Sequence, residues 1–252
     1  MKVIGLIMAG GAGTRMAQSG GTCPKVLVEI RNRPLLEHNV RAMLEAGVTE
    51  LVVSVRSGGG EVEDFVTSTC RPLAVAAGGS LEVLVEDKPL GNIGCLGMLR
   101  GRADAVVVTY ADNLTAINPN DLLVQHAVNN PAFTLAAHWH PFQMPFGELR
   151  LDAQRITSYT EKPIIKSLVC SAICVAGAAA LDAIPSDRPT GLSQLSSQLI
   201  EQGSLVEAFE HDTPWIDVND MSSVAKAEQL IDDHPDDFAW FINTTSHQAK
   251  AA

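Results

Sequence analysis

Residues 6–30 read LIMAGGAGTRMAQSGGTCPKVLVEI. An apolar run, Leu6 to Ala9, enters a turn built on Gly10, Gly11 and Gly13. Arg15 follows at once, and Lys25 comes after Pro24. A buried strand that opens into bare backbone amides with cations beside them is suited to wrapping a phosphate chain. The stretch therefore places the chain among α/β proteins whose ligands sit beyond the carboxyl ends of parallel strands.

Outward from this loop, apolar strand patterns alternate with helical ones. Strands are expected at 3–8, 50–55, 81–86, 105–110 and 133–138. Helices are expected at 35–46, where Leu36, Val40 and Leu44 recur four apart, at 92–100 and at 120–129. This alternation implies parallel strands with right-handed crossovers. After residue 140 the pattern changes. A hairpin of 147–151 with 156–160 turns at Asp152-Ala153-Gln154, and an apolar strand at 168–175 follows. A helix at 191–201, a strand at 204–209 and a closing helix at 222–232 complete the pattern. The expected fold is three-layer and Rossmann-like, a mixed, mostly parallel sheet with helices on both faces. One domain is expected over 1–235, with a nucleotide-binding half (1–140), an acceptor half (141–235) and a tail at 236–252. In that tail Phe238, Trp240 and Phe241 could dock on the body, and the chain beyond Thr244 reads as loose.

The 252 residues are 46% hydrophobic, enough to bury a sizeable core, and no apolar run reaches the length of a membrane span. The amino terminus lacks a signal-peptide layout, so the expected location is cytoplasmic, without a membrane partner. A net charge of −11 argues against nucleic acid as a partner. The charge is uneven: residues 1–60 hold seven Lys and Arg against four Glu, a local +3. A basic patch on an acidic chain suits a small polyanion. Five cysteines, at 23, 70, 95, 170 and 174, show no CxxC spacing, so reduced thiols are expected. Cys170 and Cys174 read as a buried pair on one strand face.

Three phosphate-binding readings compete for the loop. A P-loop needs a Gly-Lys pair that the chain does not contain. A dinucleotide fingerprint finds two of its three glycines in Gly11-Ala12-Gly13-Thr14-Arg15-Met16, and the strand near Val55-Arg56 lacks the acidic residue that would hold a ribose. The third is a loop that wraps a triphosphate with Arg15 and Lys25 as cations. Here AGGAGTRM followed by PK resembles the signature GGxGTR[LM]…PK of sugar nucleotidyltransferases. EDKPLGNIGCLGML (86–99), VVVTYADNLT (106–115), FGELRLD…ITSYTEKP (146–163) and PWIDVND (214–220) are similar, in order, to later segments of that family.

The resemblance implies a glycosyltransferase-A-like fold and transfer of a nucleotidyl group from an NTP to a sugar 1-phosphate, with pyrophosphate released. Such chemistry asks for positioning and charge neutralisation rather than a covalent nucleophile. It assigns the nucleotide to Ala9, Gly10, Gly11, Gly13, Thr14, Arg15, Lys25, Glu86, Gly91 and Asp112. Arg15 would hold the β and γ phosphates, Lys25 the α-phosphate region, and Lys162 the acceptor phosphate. Gly147, Glu161 and Ser171 would join Lys162 at the acceptor, and Asp112 with Asp217 would hold Mg²⁺. Asp220 and Asp182 read as a helix cap or surface charge, and Trp215 as packing that aims Asp217. Glu86 is acceptor-only, which suits the N1–H and N2–H of guanine and favours GTP, with CTP and UTP open.

Three of the four departures from the family pattern fall in the acceptor half. Cys170 and Ala172 stand where relatives carry Asn and Gly, Asn219 replaces a motif Gly, and Ala111 replaces the Gly before the metal aspartate. The expected acceptor is therefore an unusual sugar 1-phosphate, such as a heptose, or a non-sugar phosphate or phosphonate. His138 and His140 share a strand face and read as structural, with acceptor contact as the alternative. A sensor without catalysis and a dehydrogenase remain as other readings, and a homodimer is an open assembly.

Overall fold

The computed structural model describes residues 1–11, 13–185 and 188–239. In chain order, β1 (Val3–Met8) runs into the glycine turn and the short α1 (Thr14–Gln18). A two-rung ribbon, β2 (Glu29–Ile30) with β3 (Arg33–Pro34), leads to α2 (Leu35–Glu45), β4 (Glu50–Arg56), α3 (Gly60–Phe65), α4 (Arg71–Ala76) and β5 (Ser80–Glu86). Then come β6 (Ala105–Tyr110), β7 (Asn113–Thr115), α5 (Pro119–Asn129) and β8 (Phe133–Gln143). The hairpin of β9 (Glu148–Asp152) and β10 (Arg155–Thr160) precedes β11 (Ile164–Gly177), α6 (Ala178–Ala183) and α7 (Leu192–Glu201). The described chain closes with β12 (Val206–Glu210), β13 (Trp215–Asp217) and α8 (Met221–Asp233).

Seven strands pair in the order β12-β8-β11-β6-β1-β4-β5. β1 is parallel to β4 and β6, β4 to β5, and β12 to β8, whereas β11 runs antiparallel to β6 and β8. β1, β4 and β6 are aliphatic and buried almost throughout, as central strands covered on both faces must be. One face packs Ile7, Val53 and Val107 against Leu36, Val40 and Met43 of α2. The other packs Ile4, Leu6, Val106 and Val108 toward Leu181 and Leu195. This is the mixed, mostly parallel, two-sided sheet expected from the sequence.

Three local differences have physical causes. The helix expected at 92–100 is a 3-10 segment, Gly94–Leu99. A β-carbon on Gly97 would lie 2.9 Å from Ile184 Cγ2, so close packing of bare backbone takes the place of a regular helix. A helical stretch from Gly60 to Ala76 lies where no element was expected. Its buried Val62, Val66, Cys70 and Ala74 recur four apart. Pro72 has no N–H to give to the preceding turn, and the helix widens into a π turn at Val66–Cys70 just before it. Finally, the buried pair of cysteines holds for Cys174 alone. Cys170 is exposed, beside a bulge in which Ala172 has a φ of 56°.

A third cluster lies beside the sheet. Met16, Ile30, Leu35, Val218, Ile231 and Phe238 are buried together, so the tail docks through Phe238. Trp240, Phe241 and the chain beyond Thr244 lie outside the described residues. Asp220 caps α8 by accepting from the Ser223 N–H at 2.9 Å, as its reading required.

Candidate active site

The glycine turn is held from both ends. The Ala9 N–H donates to Ser54 O at 2.9 Å, and Gly13, with a φ of 61°, supplies the left-handed residue that starts α1. A β-carbon on Gly13 would sit 3.3 Å from Lys25 Cβ, so the turn and Lys25 pack against each other. The turn opens on a cleft of about 810 Å³. Its lining comes from three places. Gly10, Gly11, Gly13, Thr14, Arg15 and Lys25 come from the loop, and Arg56, Ser57, Glu86 and Gly91 from the ends of β4 and β5. Tyr110, Asp112 and Asn219 come from the far side of β1 in the sheet order and from the chain after β13. Ala9 instead lines an adjoining cavity of about 600 Å³ that shares Gly11, Gly13 and Lys25.

Glu86 is buried at the end of β5, where its Oε2 accepts from the Leu90 N–H at 3.3 Å. Gly91, with a φ of 83°, turns the chain where a β-carbon would fall 2.4 Å from Thr190 O. The segment from Glu86 to Gly91 is thus clamped against the other half of the chain.

At the opposite end the charges converge. Lys25 Nζ donates to Asp112 Oδ2 and to Asn219 Oδ1, each at 2.5 Å, and lies 3.8 Å from Asp217 Oδ1. The Asn219 amide in turn donates to Asp217 Oδ2. Asp217 Oδ1 is buried and has no hydrogen-bond donor among the described residues. Burial pushes the Asp217 carboxyl above its ordinary value, and the charge of Asp112 adds to this, against the opposing pull of Lys25, Asn219 and Arg15. An acceptor oxygen without a donor, beside a second carboxylate, fits a hard divalent cation. Among the described residues no group of three or more His, Cys, Asp or Glu assembles a cage, so such an ion would complete its shell from water and phosphate oxygens. Ala111 takes the place of glycine without a positive φ, as its tolerance required.

Gly147, Glu161, Lys162 and Ser171 are not among the residues that line the cleft. Ser171 is fully buried, with its Oγ 2.8 Å from His138 Nδ1 and 2.7 Å from His211 Nε2. Burial lowers the pKa of both imidazoles, His140 lowers that of His138 further, and His138 does the same to His211, so the neutral rings are favoured. The His138 ring centroid lies 5.7 Å from that of His140 and 5.0 Å from Trp215, which connects this cluster to the strand that carries Asp217. Gly147 makes room for Tyr159, whose hydroxyl donates to Glu161 Oε2 at 2.7 Å. Lys162 occupies the following turn with a φ of 44°. Sequence reasoning passed over Asn219, Arg56 and Tyr110 as site residues. Only Asn219 left a signal, as a departure from the motif glycine.

Fold and cleft together define an α/β protein whose polyanion-compatible site lies beyond the carboxyl ends of parallel strands. Residues 4–234 match the nucleotidyl transferase family, and the chain belongs to it. Members of this family generally depend on a divalent metal. The mannose-1-phosphate guanyltransferase of Candida albicans is 26% identical over 223 residues, which are 85% of this chain and 60% of that protein. Mannose-1-phosphate guanyltransferase beta-B of Xenopus laevis is 25% identical over 221 residues, 84% of this chain and 60% of its own length. The chain therefore spans about 60% of the length of these curated relatives. Among solved structures, HddC from Yersinia pseudotuberculosis, complexed with GMP-PN, superposes with a TM-score of 0.69 at 19% identity, over 91% of this chain and 99% of that one. A Bacillus anthracis structure described as a glucose-1-phosphate thymidylyltransferase in complex with sucrose gives 0.70 at 20% identity, over 90% and 94%. At these identities the likeness concerns the fold. No described helix is long and apolar enough to cross a membrane.

Proposed function

We propose that the protein transfers a nucleotidyl group from an NTP, preferentially GTP, to a sugar 1-phosphate, forming an NDP-sugar and pyrophosphate with Mg²⁺. The observation that carries this reading is the Lys25 ammonium held between Asp112 and Asp217 at the foot of the glycine loop. A phosphate oxygen of the acceptor attacks the α-phosphorus in line, the bond to the bridging oxygen breaks, and pyrophosphate leaves. The backbone amides of Gly10, Gly11 and Gly13 and the hydroxyl of Thr14 cradle the polyphosphate. Arg15 neutralises the leaving group, and Lys25 contacts the α-phosphate and the incoming oxygen. Mg²⁺ bound by Asp112 and Asp217 would neutralise phosphate charge. Gly147, Glu161, Lys162 and Ser171 form the acceptor side of this reading.

The preference for GTP rests on Glu86, a buried acceptor-only group in the cleft lining, matched to two adjacent donors on guanine. The guanyltransferase names of the curated relatives and the GMP-PN complex of HddC support the same base. The test is a pyrophosphate-release screen of four NTPs against a panel of sugar 1-phosphates, other phosphates and phosphonates with Mg²⁺. Release with GTP and a sugar 1-phosphate is expected. Tight NTP binding without release for any acceptor would replace this reading with that of a sensor.

A further inference from the structure

β1, β4 and β5 end side by side, and the residues at their ends form a row. The Ala9 N–H donates to Ser54 O at 2.9 Å and the Ser57 N–H to Glu86 O at 3.0 Å, while Arg56 pairs with Glu86 in the β4–β5 register. A β-carbon on Gly10 would lie 3.6 Å from both Arg56 N and Glu86 Oε1. Arg56 therefore stands between the glycine turn and the Glu86 carboxylate, and all three line the cleft. Residues paired across parallel strands project to the same face of a sheet, so Arg56 and Glu86 share one wall. The turn after Arg56 fixes its backbone: the Gly59 N–H donates to Arg56 O at 3.1 Å, and Gly58 has a φ of 82°. The Arg56 side chain is exposed and has no hydrogen-bond or ion-pair partner among the described residues. A planar fork of donors open on a binding wall suits a ligand with two acceptors side by side.

We propose, resting on the reading of this cleft as an NTP site, that Arg56 takes the O6 and N7 acceptors of guanine while Glu86 takes the adjacent N1–H and N2–H. The order of the groups supports this. Around guanine the edge runs from N2 through N1, O6 and N7 to the ribose, which leads to the phosphates. Along the cleft wall the order is Glu86, Arg56 and then the glycine turn. A base whose N1 and N2 meet Glu86, and whose phosphates lie on the turn, brings O6 and N7 past Arg56. Arginine meets guanine at those two atoms with both arms of its fork. Adenine is refused twice. Its amino group replaces O6 and faces the guanidinium donor to donor, and its bare N1 faces the carboxylate acceptor to acceptor. Uracil and cytosine have no second ring and offer the fork no N7.

Pyrophosphate release from GTP and from 7-deaza-GTP, with wild type and Arg56→Ala, tests the pairing. In 7-deaza-GTP only N7 is lost, replaced by C–H. Wild-type kcat/KM should be about tenfold lower for 7-deaza-GTP than for GTP, the scale of one lost hydrogen bond to a charged donor. Arg56→Ala should lower kcat/KM for GTP by about tenfold or more and bring the two nucleotides within about twofold of each other, as for two groups that act through one contact. A wild type that uses both nucleotides equally overturns the proposal. So does a variant that loses rate on both alike and still prefers GTP about tenfold, because Arg56 then acts only as a charge. Far-UV circular dichroism checks the fold, and Arg56→Met, which keeps the aliphatic stem, replaces the alanine variant if that one unfolds. Should no acceptor give release, the catalytic reading fails alone, and dissociation constants of the two nucleotides from calorimetry decide Arg56 by the same ratios. Absence of GTP binding overturns both.

Discussion

The Lys25 ammonium lies 2.5 Å from Asp112 Oδ2, although 87 positions separate the two in the chain. The contact ties the glycine loop to the end of β6 and places a cation between two carboxylates. Lys25→Ala should lower turnover about 100-fold, the scale for losing one preorganised charge-stabilising group. Pyrophosphate release measures the rate, and far-UV circular dichroism checks that the fold survives. A rate within twofold of wild type would remove Lys25 from the proposed chemistry.

Glu86 should decide which base is accepted. Its carboxylate offers two acceptors, whereas a glutamine offers one acceptor and one donor. Glu86→Gln should therefore shift the ratio of kcat/KM for GTP over UTP toward UTP by about tenfold, the worth of one mismatched buried hydrogen bond. A ratio that does not move would remove the physical argument for guanine.

His38 builds acid sensitivity into the body of the fold. Its ring Nε2 lies 3.0 Å from Ile30 O, and burial pushes its pKa down to about 3. Between that value and the ordinary one of about 6.5, the unfolded chain holds a proton that the folded chain refuses. Stability then rises with pH, so the contribution is complete above about 6.5 and is lost as pH falls toward 3, with a slope of at most about 1.4 kcal/mol per pH unit. His38→Gln keeps a donor for Ile30 O and removes the titration. Urea midpoints of wild type and variant should therefore diverge between pH 7 and 5. Parallel curves would show that His38 is protonated in the folded chain.

Ala172 sits at a φ of 56° in the β11 bulge, where a β-carbon crowds the backbone. Ala172→Gly should raise stability by about 1 kcal/mol, visible as a higher Tm. A Tm at or below that of wild type would show that the bulge relaxes around alanine without cost.

The strands were legible because β1, β4 and β6 are aliphatic runs bounded by turn residues, and the glycine loop because a bare turn joined to two cations is an uncommon local pattern. The contact of Asn219 with Lys25 was not legible, since it joins positions 194 apart and no local pattern encodes it. The helix from Gly60 to Ala76 was hidden by the glycines before it and by Pro72 inside it, although its buried residues keep a spacing of four. The reach of β8 and β11 was underestimated because their outer ends have no buried face to impose alternation.

Phe238 connects the tail to the helix that follows the glycine loop. It is fully buried in the cluster that contains Met16, and Met16 is the one buried residue of α1, the helix that carries Thr14 and Arg15. A five-residue helix cannot hold itself together in water, so its position depends on that one side chain remaining packed. Phe238→Ala removes a large part of the packing and should cost about 3–5 kcal/mol of stability, measured as a lower denaturant midpoint. Met16 belongs to the same cluster, so loss of packing there should loosen α1, and KM for the NTP should rise at temperatures where the variant is still folded. A destabilised variant with unchanged KM would show that α1 is held by the loop itself, and an unchanged midpoint would show that Phe238 is not seated in this cluster.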